Sequence, residues 1–290
     1  MMVKLFLICV MLSVACGCSQ KSAVSSYLSF NPDEAKNYQL TVTTISSTRS
    51  AFAIYGDTLL WRIDLQLLEK DSTVNKMLMV IRELKLSLVP FKQVDSNLAA
   101  QYANLPMNAY RAKRDSVFKS VSGDSLVVFI NDKGELLMED GLDRLIKNVS
   151  RKATVDSSQV RGMLEDFLSP AATKDLLARI FFYLPARDVK EKDSWVNNVI
   201  LSSMAPVKHS HLMVLNKVDE QQYYTDISAQ ISAGGTGTQY LRGKTTGSLR
   251  ADRSSGFPLS MTLKESTVTQ TISGDLTGAR TFTVSCTIGE

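Results

Sequence analysis

Gly123-Asp124-Ser125-Leu126 has the spelling that places a serine nucleophile in ester hydrolysis. A serine attacks an ester only when a base held within hydrogen-bond reach takes its proton, and the companion Asp-x-x-His motif that would supply the base is missing. Pro206 stands three residues before His209, and Lys208 three before His211. Ser125 also opens an apolar run, Leu126 to Ile130, which reads as a strand where the motif calls for a helix. A turn that starts a strand is the expected role of this serine, and an esterase using Ser125 is a remote alternative.

Three other patterns touch on chemistry. Gly243-Lys244-Thr245 ends like a phosphate-binding loop, but Thr238 stands where the first glycine belongs, and Thr246 to Leu249 reads as strand, with no helix N-terminus to converge on phosphate. Gly234 to Gly237 reads as a flexible link between strands. His209 and His211 are the only histidines. At this spacing they share one side of a strand, but two ligands without a nearby Cys or spaced carboxylates make no tetrahedral set, so an exposed pair at a strand start is expected and no metal or cofactor is assigned. Glu139-Asp140 and Glu165-Asp166 fall on helices or at their starts, where solvated faces explain them. No catalytic residue is assigned.

The firmest chemistry is at the start of the chain. A charged beginning ends at Lys4, an apolar run extends from Leu5 to Val14, and Ala15-Cys16-Gly17-Cys18 follows. That run is too short to span a bilayer, and small residues precede the cysteines, as in a cleaved export segment that hands over to a lipid-bearing cysteine. Residues 1–15 read as a lipoprotein signal peptide. Cys16 is the preferred attachment point because Val14 and Ala15 are ordinary residues before a cut; Cys18 is the alternative. Acyl chains would hold the mature protein at a membrane surface without a spanning helix. Residues 16–37 then form the lipidated N-terminus and a tether rich in Ser, Lys and Asn.

The remainder, 38–290, reads as a β-rich domain. Lys4 leaves with the leader, so the formal charge of +4 falls to about +3, spread among interspersed acids, which is no nucleic-acid footprint. Leu59, Trp61, Ile63, Leu65 and Leu67 alternate with polar residues as in a half-buried strand. From Met77 to Leu88 the apolar set shifts by one place after Ile81, which predicts a bulge near Arg82-Glu83. Leu126 to Met138 reads as a hairpin with Gly134 at a positive-φ position. Three one-sided helices follow between about 141 and 184, the last opened by Ser169-Pro170 and stopped by Pro185. Period-two alternation returns at Trp195 and continues to Ile288, with Cys286 turned inward as a small buried hydrophobe. A disulfide from Cys286 to Cys18 requires Cys16 to be the lipidated residue and a tail able to reach a core position. The class is therefore α+β, mainly antiparallel β, as a curved sheet or open half-barrel with a helical insert.

Several short motifs carry a resemblance. They are the leader, Tyr38 to Leu40, the hairpin Val128 to Met138 running into Gly141-Leu142-Asp143, Phe182 to Pro185, Asp193-Ser194-Trp195, and Asp252 with Ser255-Gly256 and Pro258. Together they resemble an uncharacterised family of lipoproteins common in Bacteroidota, assigned to a domain of unknown function. That family shows Gly-Asp-x-Trp where this chain has Lys192-Asp193-Ser194-Trp195. A weaker similarity is to half-barrel carriers of lipids and lipoproteins, in which a curved antiparallel sheet holds helices in its concave face. The resemblance implies a bacterial envelope address, lipid-anchored to a membrane, with the periplasmic face of the outer membrane expected. The expected role is non-catalytic binding of a hydrophobic ligand or a partner protein, or, alternatively, a structural or assembly component without a small ligand.

Overall fold

Strand after strand pairs antiparallel with its predecessor, so local hairpins build most of the architecture. The computed structural model describes residues 28–49, 53–93, 107–185, 187–201, 207–234, 240–271 and 274–289. The leader, Cys16, Cys18 and most of the Gly234 to Gly237 link lie outside the described residues. In chain order come β1 (Asn37–Arg49), β2 (Ala53–Lys70), β3 (Val74–Gln93), α1 (Met107–Ser120), β4 (Ser125–Asn131) and β5 (Leu136–Asp140). Then follow α2 (Leu142–Ala153), α3 (Ser157–Leu168), α4 (Pro170–Phe181), β6 (Ser194–Leu201) and β7 (Val207–Val218), and finally β8 (Gln222–Gly234), β9 (Tyr240–Asp252), β10 (Pro258–Thr271) and β11 (Gly274–Gly289).

Among the described residues, eleven strands form one open sheet in the order β5-β4-β3-β2-β1-β11-β10-β9-β8-β7-β6. Two meanders meet where β1 pairs β11, from Asn37 opposite Gly289 to Arg49 opposite Thr277. The expected α+β class, mainly antiparallel and unclosed, is what the chain adopts.

Alternation decides which face is buried. Tyr38, Leu40 and Val42 of β1, Trp61, Ile63 and Leu65 of β2, and Phe282, Val284 and Cys286 of β11 are all buried, while their neighbours along the strand are more exposed. The shift in β3 is the predicted bulge. Arg62 faces Glu83 and Ile63 faces Ile81, so Arg82 is the extra residue, and its guanidinium meets Asp64 at 2.6 Å. The β4–β5 hairpin turns on Gly134 at φ 77°, and a Cβ there would meet the Phe181 Cβ at 2.4 Å, so glycine is required twice over.

The three expected helices lie on the buried face. Ser169 caps α4 by accepting the Ala172 amide, with Pro170 at the first position, and Asp156 caps α3 through the Ser158 amide. The fourth helix, α1, was not expected from the sequence: of its residues whose burial is described, only Val117 and Phe118 are buried. Tertiary packing holds it: the Phe118 ring meets Phe167 of α3 edge-on at 5.1 Å, and the Arg114 guanidinium lies 5.7 Å from the Phe118 ring.

The packed part begins earlier than expected. Leu28 and Phe30 are buried, and Phe30 packs on Phe181 and Phe257, whose ring in turn stacks on Tyr38 at 3.8 Å. Backbone bonds pin the segment on both sides, from the Phe30 amide to Asp132 O and from the Asn31 amide to Ser255 O. Within the expected tether of 16–37, Leu28, Phe30 and Pro32 are therefore buried in the fold. Leu28 and Phe30, nine and seven places before β1, show no period, so the sequence alone does not mark them.

Candidate functional site

The register of the sheet sorts the concave face into rows. Two apolar rows cross it first. One runs Trp61, Val42, Val284, Met261, Leu249, and the next Leu59, Thr44, Phe282, Leu263, Gly247, Ile227, Met213. The row after that is polar: Asp57, Ser46, Arg280, Glu265, Thr245, then Ala229, His211 and Asn197. Neighbouring strands thus set side by side residues that lie far apart in the chain.

Glu265 is the hinge of this row. Its carboxylate is 5% exposed and takes Arg280 Nη1 at 3.5 Å and Arg179 Nη1, reaching in from α4, at 4.0 Å. Burial and the facing Arg280 lower the Arg179 pKa to about 10, with Glu265 and Asp175 opposing that shift. Arg179 remains cationic at neutral pH. Ser46 Oγ donates to the Asp57 carboxylate, and Asn197 Nδ2 donates to the carbonyls of Phe182 and Leu184 at 2.6 and 2.8 Å, closing the end of α4.

The two histidines belong here, which corrects the expectation of an exposed pair. His209 is 4% and His211 5% exposed, with rings 5.6 Å apart and His211 against Phe182 at 4.1 Å. They alternate inward with Met213 and Leu215 on β7. Burial, then the nearby arginines, lowers the His209 pKa to about 4; burial, then His209, lowers that of His211 to about 3. Both are neutral at pH 7. Among the described residues no three His, Cys, Asp or Glu side chains group as a metal set. Above the row lies a cavity of about 210 Å³, with Thr267 flanked across the strands by Gly243 and Gly278.

The larger cavity, about 560 Å³, is a groove between α1 and the far half of β3. Leu84, Leu86 and Phe118 form its floor. Pairing with β4 ends at Val80 opposite Ser125, and after backbone bonds from Ile81 to Gly123 and Asp124 the described part of β3 pairs only with β2. The helix leans over this open side with Arg111, Arg114, Phe118 and Lys119, the spacing of one helical face.

The remaining candidates are dispersed. Ser125 opens β4, and in the sheet order seven strands separate β4 from the histidines on β7. Gly243-Lys244-Thr245 lies inside β9 with strand on both sides, so no helix N-terminus faces a phosphate. Glu165 and Asp166 are exposed on α3 as expected. Glu139 is a second correction: both carboxyl oxygens are buried against α4, and burial raises its pKa, partly opposed by Thr173. Cys286 is a buried free thiol.

A family described as being of unknown function, DUF6263, matches residues 89–258, more than half of the 290. The chain belongs to DUF6263. The matched stretch of this DUF6263 chain carries α1, all three inserted helices and both histidines, while β1, β2 and β11 lie beyond it. No curated protein sequence matches the chain. Among solved structures, lipovitellin, in a study of its lipid–protein interactions, superposes with a TM-score of 0.50 at 9% identity over 90% of this chain. The chain spans 26% of the length of that lipovitellin chain, and the likeness is one of fold.

Proposed function

We propose that this DUF6263 protein is a lipid-anchored protein of the bacterial cell envelope whose half-barrel binds a hydrophobic ligand without catalysing a reaction. The observation that carries the reading is the groove of about 560 Å³ between α1 and β3, floored by Leu84, Leu86 and Phe118 and lying in the size range of small-ligand sites. Much of the concave face is filled core, Leu84 and Phe118 included, so the apolar surface the groove leaves to a guest is that of the partly buried Leu86 and the 40% exposed Leu88. The likeness in fold to lipovitellin supports a carrier.

Anchoring rests on the leader and on Cys16, with Cys18 as the alternative, and the expected address is the periplasmic face of the outer membrane. Intact mass of the membrane fraction tests it, and a mature chain without acyl mass overturns the anchor. For the ligand, the mature chain with both attachment cysteines replaced is purified, extracted with organic solvent and the extract read by mass spectrometry. A stoichiometric apolar compound supports the carrier; protein that stays empty after incubation with a lipid extract sinks it.

A second reading, a partner-binding assembly component, draws on the open edges. Leu137 and Met138 on β5 and Val196 and Ile200 on β6 are each more than half exposed beside unpaired strand edges. A stoichiometric co-purifying protein that is lost when Ile200→Lys is introduced would favour it.

A further inference from the structure

We infer that the groove between α1 and β3 takes a free, single-chain amphiphile with an anionic head, such as a fatty carboxylate. The inference rests on the hydrophobic-ligand reading above and adds the charge of the guest.

The groove wall is basic in a particular way. Five cationic side chains line it against two carboxylates, Glu83 and Asp115, and both carboxylates are already engaged. Arg62 reaches Glu83 at 3.0 Å and Arg114 reaches Asp115 at 2.9 Å, while Arg82 is held by Asp64 at 2.6 Å. Lys85, Arg111 and Lys119 are left, and none of the three has an ion pair among the described residues. They come from two elements that converge on one apolar floor, Lys85 from β3 and the others from α1.

Lysine and arginine stems lie along apolar surface while their heads stay in water. An acid group at the rim meets three exposed cationic side chains that have no ion pair there, while its chain covers what Leu86 and Leu88 leave accessible. A neutral chain of the same length gains only the floor. The head group therefore supplies selectivity and the chain supplies most of the affinity.

Isothermal titration of the mature chain with oleate and with oleyl alcohol separates the two contributions. Oleate is expected to bind at least ten-fold tighter in low salt, with the ratio shrinking at high salt. In the double variant Arg111→Gln/Lys119→Gln the two probes should bind alike, at an unchanged unfolding midpoint. Equal binding of both probes by the unaltered protein overturns the charge inference and leaves the carrier reading standing. Binding of neither defeats the carrier reading and this inference with it. Binding to phosphatidylglycerol vesicles without binding of monomeric oleate also overturns it, because the basic wall would then be a membrane contact.

Discussion

Arg280 Nη1 stands 3.5 Å from Glu265 Oε2 across one step of the sheet, in the row where the concave face turns from apolar to polar. Arg179 approaches the same carboxylate from the helix layer. A helix and two strands are thus joined at one buried anion.

Glu265→Gln removes the shared counter-charge and leaves two arginines facing each other. Both guanidinium groups keep some access to the cavity, so the loss is expected at about 2 kcal/mol, below that of a fully buried pair. Urea unfolding measures it. A triple variant, Glu265→Leu/Arg179→Met/Arg280→Met, should regain part of the loss, because no uncompensated charge remains.

The histidines predict an acid-sensitive fold. Their folded pKa values, about 4 for His209 and about 3 for His211, lie below the unfolded value of 6.5. The unfolded chain therefore binds protons first as pH falls. Their contribution is fully present above pH 6.5 and is lost as pH drops toward 4, at up to about 1.4 kcal/mol per pH unit for each histidine. Glu139, whose pKa is raised, acts in the opposite sense above its ordinary value of 4.5. Unfolding free energies of the protein and of His209→Gln/His211→Gln, measured from pH 7.5 to 4.5, should converge as pH falls; parallel curves would refute the assignment.

Gly256→Ala is expected to detach the N-terminal segment. Gly256 sits at φ 72°, and a Cβ there would come 2.2 Å from Ser29 O. Backbone strain and the clash together should cost about 2 kcal/mol or more. Proteolysis should then cut near Leu28 to Asn31 under conditions that leave the unaltered protein whole.

The Cys286 thiol should be silent in the native state. Burial pushes its pKa up to about 12, so almost no thiolate forms at pH 8. Reaction with a thiol reagent should proceed at the unfolding rate and accelerate with denaturant. Fast native labelling would show that β11 opens locally.

Much of the architecture was legible because local physics writes it. The one-place shift after Ile81 announced the bulge at Arg82, Gly134 announced its turn, and Ser169-Pro170 announced α4. The groove was not legible. Its helix wall, α1, has a weak apolar stripe, and the unpaired stretch of β3 depends on where β4 stops. Nor was the polar row, because its members come from eight strands and consecutive residues do not say which strands are neighbours.

From the sequence alone come the β-rich class, the helical insert and the alternating inward set of strands such as β2 and β11, since alternation and period are properties of consecutive residues. Tertiary structure decided which residues meet. His211, Thr245, Glu265, Arg280 and Ser46 lie on five different strands, and only the pairing of β7 through β11 with β1 sets them on one row. Burial of the histidines was likewise a tertiary matter, because a side chain on the inward face is covered only by what packs over it, here Phe182 at the end of α4.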